Sequence, residues 1–248
     1  MTSVINVNVN ETSYADATSK IKLWAQNHES RAVYATSVHG TMEAHDTPEF
    51  REILNRADLI TPDGMPIVWI LRMKGVRNQQ RVYGPTLMLY VLEMAAQEGL
   101  PVGFYGGEPA MLESLVTRMM ANFPSLKVCY AFSPPFRPLN RDETIHIQNE
   151  IIRSGAQILF VGLGCPKQEI WMAEHRGRVN AVMLGVGAAF DFHAGVKPQA
   201  PAWMQGLGLE WLFRLLTEPR RLWKRYLYHN PRFVVLAVAD LLGVLKAG

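Results

Sequence analysis

The chain has few cysteines and no long apolar segment. Only two cysteines, Cys129 and Cys165, occur among its 248 residues, which excludes a disulfide-based small fold and fits a reducing compartment. The start of the chain lacks the basic and apolar regions of a signal peptide. The longest apolar stretch is the 13-residue segment 233–245, which includes Asp240, whereas a membrane-spanning helix needs about 20 apolar residues. We therefore expect a cytoplasmic protein without a transmembrane span.

Motifs for common metals and cofactors are also missing. The sequence has no H-E-x-x-H, no Cys/His zinc spacing and no Asp-x-Asp of the kind that holds a metal against a sugar diphosphate; Asp191-Phe192-His193 comes nearest. Neither the dinucleotide pattern G-x-G-x-x-G nor the P-loop pattern G-x-x-x-x-G-K-[ST] is present. These absences disfavour nicotinamide enzymes and P-loop NTPases. We expect chemistry that needs no bound metal and no cofactor.

Charge is unevenly distributed, although the net charge is only +3. Residues 214–248 contain seven Lys or Arg against two acidic residues, whereas residues 1–213 contain 18 basic and 20 acidic residues. A nearly neutral body with a cationic C-terminal part indicates an anionic partner for that part alone. We expect a diphosphate or an anionic membrane surface in this role, and no nucleic acid.

Short β-rich segments alternate with helical patterns along most of the chain. This alternation predicts a Rossmann-like α/β fold, with a mostly parallel sheet covered by helices on both faces. The predicted strands are residues 32–38, 57–60, 102–105, 127–132, 157–162 and 181–187. The predicted helices are residues 14–27, 47–56, 66–73, 85–98, 109–122, 141–154 and 167–178. After Phe190 the pattern stays helical, so we expect an α/β body over residues 1–195 and a helical C-terminal appendage over residues 196–248.

An acidic corner follows the second predicted strand. Residues 59–66 read Leu-Ile-Thr-Pro-Asp-Gly-Met-Pro, so an apolar run ends in Asp63, and Pro66 begins a helical pattern. Such a corner brings a carboxylate to the edge of a parallel sheet where ligands bind. An ionised Asp63 that faces a cleft can act as a general base. The alternative is that Asp63 caps the following helix.

Glycines follow three other predicted strands. They are Gly106 and Gly107 directly after the third strand, Gly162 at the end of the fifth strand with Gly164 just beyond it, and Gly187 at the end of the sixth strand. Glycine at these positions lets a ligand approach the backbone, and the next helix offers N–H groups to a phosphate. Together with Asp63, these loops favour a cleft for a nucleotide or nucleotide sugar. The alternative is that the glycines only form turns.

Three arginines of the C-terminal part have the spacing of one helix face. Arg214, Arg221 and Arg225 are separated by seven and four positions. The planar guanidinium group donates two hydrogen bonds at once, which suits a diphosphate. Aromatic residues in the same stretch, such as Trp211 and Trp223, are typical of an interfacial helix. Burial against the body explains them equally well.

Five segments resemble the WecG/TagA/CpsF glycosyltransferase family. They read A-D-L-I-T-P-D-G-M-P (57–66), R-V-Y-G-P (81–85), V-G-L-G-C-P-K-Q-E (161–169), G-V-G-A-A-F-D-F (185–192) and E-W-L-F-R-L-L-T-E-P-R-R-L (210–222). The resemblance implies an inverting, metal-independent enzyme that takes a UDP-sugar. It implies as acceptor a polyprenyl-diphosphate-linked saccharide on the cytoplasmic face of the inner membrane. It also implies a place in the synthesis of wall polymers, enterobacterial common antigen or exopolysaccharide.

The resemblance assigns roles to individual residues. It implies that Asp63 is the general base, that Gln168 is a second catalytic residue, and that Arg214, Arg221 and Arg225 are the tail arginines. The other residues expected to bind substrate are Thr36, Ser37, Arg81, Tyr83, Gly106, Gly107, Gly162, Gly164, Lys167, Glu169, Gly187, Phe190 and Asp191. Family members often have Thr-x-Asn where this chain has Ala35-Thr36-Ser37. The sugar contact there is therefore expected to differ, and the donor stays open among UDP-glucose, UDP-ManNAc and UDP-ManNAcA.

The sequence leaves two other classes of function open. A nucleotide-sugar epimerase or dehydrogenase would need a nicotinamide fingerprint, which we do not find. A non-catalytic module recruited to membranes would bind a UDP-sugar and transfer nothing. Association into a homo-oligomer also stays open.

Overall fold

A computed structural model, which describes residues 1–245, contains an N-terminal hairpin and one larger sheet. The hairpin pairs β1 (Thr2–Val4) with β2 (Val7–Val9). The larger sheet consists of β3 (Arg31–Thr36), β4 (Leu59–Pro62), β5 (Val102–Gly106), β6 (Val128–Phe132), β7 (Ile158–Gly162) and β8 (Val182–Gly185). Its strands are all parallel and lie in the order β4-β3-β8-β7-β5-β6. The predicted α/β class and its six parallel strands are confirmed.

Twelve helices accompany the strands in the described part of the chain. The first eight are α1 (Tyr14–Gln26), α2 (Val38–Asp46), α3 (Pro48–Asn55), α4 (Met65–Met73), α5 (Gly84–Glu98), α6 (Pro109–Asn122), α7 (Arg141–Ser154) and α8 (Lys167–His175). The last four are α9 (Ala189–His193), α10 (Ala202–Gly206), α11 (Glu210–Thr217) and α12 (Pro219–Leu241). The helices cover both faces of the sheet, as predicted.

The sheet is buried on both faces because successive strand residues point to opposite sides. Val33 of β3 belongs to the core under one face, and its neighbour Tyr34 belongs to the core under the other. Phe160 and Leu159 of β7 are divided in the same way. Burial on both faces explains why these strands read as continuous apolar runs instead of alternating ones.

Two N-terminal features differ from the sequence prediction. The sequence pattern does not predict the hairpin, whose turn places Ile5 and Asn6 at positive φ (48° and 63°). The first strand of the sheet ends at Thr36, two residues earlier than expected, because Ser37 is the N-cap of α2. Helix α2, which the sequence pattern also does not predict, therefore begins directly at the edge of the sheet.

The C-terminal part is interrupted instead of continuously helical. Residues 194–201 are not helical, and Glu218 (φ −132°, ψ 54°) separates α11 from α12. A proline disfavours helical geometry at the preceding residue, so Pro219 accounts for the break. The prediction that three arginines share one helix face is therefore wrong: Arg214 lies in α11, whereas Arg221 and Arg225 lie in α12.

Helix α12 packs along the body with one of its faces. Phe233 and Ala237 are buried in the core under the sheet. Near the end of α12, the carboxylate of Asp240 contacts Nζ of Lys74 at 2.7 Å and accepts the N–H of Ile5 at 2.9 Å. No helix within residues 1–245 is long and apolar enough to cross a membrane. The domain division at residue 195 stays a prediction, and residues 246–248 of the expected appendage lie outside the described residues.

Candidate active site

A cavity of about 1230 Å³ lies at the carboxyl edge of the sheet. Its walls include residues at the ends of five of the six strands, among them Ser37, Asp63, Gly107, Gly164 and Gly187. Helices α11 and α12 contribute further lining residues. Ligands of open parallel sheets bind at this edge because loops and helix N-termini converge there.

The structure brings nearly all of the predicted site residues to this cavity. The lining includes Thr36, Ser37, Asp63, Arg81, Tyr83, Gly107, Gly162, Gly164, Lys167, Gln168, Glu169, Gly187, Phe190, Asp191, Arg214, Arg221 and Arg225. Gly106 is the exception, because it lies inside β5 and does not line the cavity. A Cβ atom on Gly106 would come within 2.7 Å of the backbone of Gly162. Gly106 therefore allows β5 and β7 to lie close together.

Asp63 faces the cavity with 19% of its side chain exposed. Its Oδ1 accepts the N–H of Gly84 at 2.9 Å, at the first turn of α5. The helix that follows Asp63 in the chain, α4, has Gly64 as its N-cap and no side-chain capping bond. The capping alternative is therefore wrong for that helix. Within residues 1–245, Oδ2 of Asp63 has no hydrogen-bond partner, so one oxygen is held and the other is free to accept a proton.

Burial raises the pKa of Asp63 to about 6. The low-dielectric surroundings disfavour the charged carboxylate, and this effect exceeds the opposing attraction of Arg81. The nearby carboxylate of Glu210 raises the pKa further. A carboxyl group with a pKa close to the working pH is well matched to general-base catalysis.

Arg81, Tyr83 and Glu210 form a partly buried polar cluster beside Asp63. Nη2 of Arg81 donates to Oε2 of Glu210 at 2.6 Å, and Nε of Arg81 donates to the backbone oxygen of Asp63. The hydroxyl of Tyr83 donates to Oε1 of Glu210 at 3.0 Å. The guanidinium carbon of Arg81 lies 3.8 Å from the centroid of the Tyr83 ring. This cluster connects α11 to the corner that carries Asp63.

The sequence pattern does not predict Glu210 as a site residue. Glu210 begins the segment E-W-L-F-R, but its two partners lie 129 and 127 positions away in the chain. Local spacing carries no signal for such a contact. The only available signal was the presence of Glu210 in one of the five family-like segments.

Gln168 and Glu169 fix the glycine loop after β7. Oε1 of Gln168 accepts the N–H of Gly164 at 3.2 Å, and Nε2 donates to Oε1 of Glu169 at 2.9 Å. Both side chains are buried, and burial raises the pKa of Glu169. Lys167, by contrast, is exposed. The contacts of Gln168 position the loop, and its catalytic role stays a prediction.

Arg214 of α11 and Arg225 of α12 each present a donor that no group within residues 1–245 accepts. The unpaired donors are the buried Nε atoms, which have no hydrogen-bond partner in the described part of the chain. Arg221 pairs with Glu218 at 2.7 Å, and Glu218 also contacts Lys197 at 3.3 Å. A buried donor without a partner is costly. An anion with several acceptor oxygens is the kind of ligand that satisfies such donors.

Two hydroxyl groups at the end of β3 are also available. Oγ1 of Thr36 is buried and has no hydrogen-bond partner among residues 1–245. Ser37 is the N-cap of α2, but its side chain makes no capping hydrogen bond. Both residues line the cavity, so their hydroxyl groups can reach a ligand there.

Comparison with known proteins gives two consistent results. The model of the "Glycosyl transferase WecG/TagA/CpsF family" matches residues 2–246. A relative from Bacillus spizizenii, "N-acetylglucosaminyldiphosphoundecaprenol N-acetyl-beta-D-mannosaminyltransferase", is 31% identical over 225 residues, which cover 90% of this chain and 81% of the relative. The predicted resemblance is thereby confirmed, and the epimerase, dehydrogenase and non-catalytic alternatives are set aside. The chain belongs to the WecG/TagA/CpsF family of glycosyltransferases.

Proposed function

We propose that this enzyme transfers a sugar from a UDP-sugar to a polyprenyl-diphosphate-linked saccharide, with inversion at the anomeric carbon. The observation that carries the proposal is that Asp63 and the three arginines Arg214, Arg221 and Arg225 line one cavity. A displacement at the anomeric carbon needs a base for the attacking hydroxyl and positive charge for the departing diphosphate. The cavity lining contains both.

Asp63 is the base in this mechanism. Its free Oδ2 accepts the proton of the acceptor hydroxyl while the hydroxyl oxygen attacks the anomeric carbon from the face opposite UDP. The bond from the anomeric carbon to the diphosphate oxygen breaks, and its electron pair stays on the diphosphate. Guanidinium groups of the C-terminal helices and backbone N–H groups at helix N-termini stabilise the developing charge, so the step needs no bound metal.

The size of the cavity supports two substrates. Cavities that enclose one drug-sized ligand measure about 300–1,000 Å³, whereas this one measures about 1230 Å³. A UDP-sugar and the terminal sugar of an acceptor fit into that volume together. The name of the Bacillus relative describes the transfer of an N-acetylmannosaminyl group to a diphosphoundecaprenol-linked sugar. This name supports a lipid-linked acceptor and favours UDP-ManNAc among the three donors.

An exposed apolar face on α11 and α12 supports peripheral binding at the cytoplasmic face of the inner membrane. The face comprises Leu216, Trp223, Leu227, Tyr228, Val234, Val235, Val238 and Leu241, all exposed. Arg220 and Lys224 of α12 are also exposed, and their positive charges suit anionic lipid headgroups. A helix that combines aromatic, apolar and basic residues binds the interface of a bilayer. Such binding brings the cavity close to a lipid-linked acceptor.

The proposal is tested by a donor screen with one synthetic prenyl-diphosphate saccharide as acceptor. The purified enzyme is incubated with UDP-glucose, UDP-ManNAc or UDP-ManNAcA, and UDP release and the mass of the lipid product are measured. We expect acceptor-dependent UDP release with one of these donors and an inverted anomeric centre by NMR. Acceptor-independent UDP release, or a product with retained configuration, would contradict the mechanism.

A further inference from the structure

Two histidines and a glutamate, contributed by two helices, converge at the wall of the cavity. Nδ1 of His39 lies 3.6 Å from Oε1 of Glu43, and Nε2 of His229 lies 3.5 Å from the same oxygen. All three atoms lie within 4.8 Å of one another. His39 and Glu43 are one turn apart on α2, whereas His229 belongs to α12. Both histidines line the cavity.

The distances in this cluster do not describe hydrogen bonds. Protein N–H···O hydrogen bonds measure about 2.7–3.2 Å, so separations of 3.5 Å and 3.6 Å are too long. They are close to the spacing of ligands around a small cation. Two ligand atoms at about 2.0–2.1 Å from a tetrahedral zinc ion lie about 3.3–3.4 Å apart. The three side chains thus require little movement to hold such an ion.

One histidine nitrogen of the cluster is also buried and unpaired among the described residues. Within residues 1–245, Nδ1 of His39 is buried without a hydrogen-bond partner. A bound ion is one explanation of a buried nitrogen that has no partner.

We propose that His39, Glu43 and His229 bind a divalent cation of the zinc class. Two imidazoles and one carboxylate form a donor set that suits zinc and similar transition metals, whereas magnesium and calcium prefer oxygen ligands. Because both histidines line the cavity, a water molecule or a substrate oxygen can complete the coordination from that side. The ion joins α12 to α2. This site is separate from the proton acceptor Asp63, and the sugar-transfer step does not require it.

The consequence for the enzyme is a fixed position of the α12 arginines. Arg225 lies one turn before His229 on α12 and acts electrostatically on His39. An ion held between α2 and α12 restrains the helix segment that carries Arg225. The positive charge of Arg225 opposes that of the ion, and the carboxylate of Glu43 offsets this repulsion. Arg232 of the same helix is already neutralised by Asp46, with which it pairs at 2.5 Å.

Metal binding by the untagged, chelator-treated full-length enzyme tests the proposal. Zinc affinity is measured by competition with a chromophoric chelator, and cobalt is added as a spectroscopic probe. We expect one equivalent of zinc, the intense visible bands of tetrahedral cobalt, and a higher Tm with zinc than without it. We expect His39→Ala and Glu43→Gln to lower zinc affinity by about 100-fold or more, since loss of even an outer partner costs about 10–100-fold.

His45 supplies the matched control. It lies on α2 like His39 and Glu43, and it is outside the cluster. His45→Ala should bind zinc as tightly as the wild-type enzyme. Because His229 is buried and its substitution perturbs packing, the partly exposed Glu43 provides the second variant. Zinc binding that is equal in wild type, H39A and E43Q, or a weak octahedral cobalt spectrum, would overturn the proposal. The readouts are independent of sugar transfer, so the outcome does not depend on the proposed function.

Discussion

The guanidinium group of Arg81 bonds to the carboxylate of Glu210 at 2.6 Å and so connects α11 to the acidic corner of the active site. The same guanidinium donates to the backbone oxygen of Asp63. Arg81 and Glu210 act on the pKa of Asp63 with opposite signs. The position of the C-terminal helices therefore contributes directly to the protonation of the proposed base.

Replacement of Asp63 by Asn tests the proton-acceptor role. The amide oxygen of Asn can still accept the N–H of Gly84, so the corner keeps its geometry, but the amide cannot take a proton. We expect kcat to fall by about 10²–10⁴-fold, the usual contribution of a general base, with unchanged affinity for UDP. UDP release measures kcat, and calorimetry measures UDP binding. Unchanged turnover in D63N would remove Asp63 from this role.

The pH profile is expected to depend on Glu210. In the wild-type enzyme, kcat/KM should rise with pH and level off above about 6, because Asp63 must lose its proton to act as a base. Glu210→Gln removes a charge that raises this pKa, so the rising limb should move to lower pH. Glu218→Gln is the control, since Glu218 contacts Lys197 and Arg221. A limb that moves equally in both variants would contradict the assignment.

Ionisation of Asp63 should lower the stability of the folded enzyme, although the same ionisation is required for activity. The pKa of Asp63 in the folded enzyme, about 6, is above its ordinary value of 3.8. The folded state therefore binds this proton more tightly than the unfolded state, and stability falls as pH rises from about 4 to 6. D63N carries no such charge. We expect it to be more stable than wild type at pH 8, by up to about 3 kcal/mol.

Urea unfolding at two pH values measures this difference. The stability advantage of D63N should be fully present at pH 8 and small at pH 4, where Asp63 is protonated in the folded state and about half protonated in the unfolded state, whose pKa is 3.8. A D63N variant that is less stable than wild type at pH 8 would mean that the contacts of the carboxylate with Arg81 and Gly84 outweigh the cost of its burial.

Loss of a cavity-lining arginine should weaken use of the UDP-sugar. Arg214→Ala is expected to lower kcat/KM by about 10–100-fold, because a hydrogen bond to a charged group contributes about 1.5–3 kcal/mol. Arg220→Ala is the matched control, since Arg220 is exposed and does not line the cavity. Initial rates over a range of donor concentrations give kcat/KM for each of the two variants. Equal losses in the two variants would assign the effect to overall charge.

Membrane binding should depend on the exposed apolar face of α11 and α12. Trp223 and Leu227 are 49% and 69% exposed, and their joint replacement by Gln should weaken binding to phosphatidylglycerol vesicles by about tenfold or more, since burial of each such side chain contributes about 1.5–3 kcal/mol. The control is Leu23→Gln on α1, which is 56% exposed. Co-sedimentation at two salt concentrations separates the apolar from the electrostatic contribution. Undiminished sedimentation of the double variant would argue against this face.

The sequence predicts those elements whose burial shows in the pattern of apolar residues within the element itself. Residues 158–161 form a continuous apolar run because β7 is covered on both faces. The N-terminal hairpin was not predictable in this way, since β1 and β2 have only three residues each. Their stability comes from contacts with distant elements, such as the bond between Ile5 and Asp240. Short elements of this kind leave too little periodicity to recognise.

The sequence by itself determined where the chemistry-bearing residues stand: an acid at the end of a strand, glycines after three others, and arginines near the C-terminus. Strand ends meet at one edge of a parallel sheet, so their side chains converge whatever the details of packing. Only the tertiary structure decided which side chains touch. Two examples are the contact of Arg81 with Glu210 and the approach of His229 to His39 and Glu43. Both depend on how α11 and α12 pack against the body. Such packing depends on complementary surfaces of segments that are far apart in the sequence. The spacing of residues within one segment therefore does not predict these contacts.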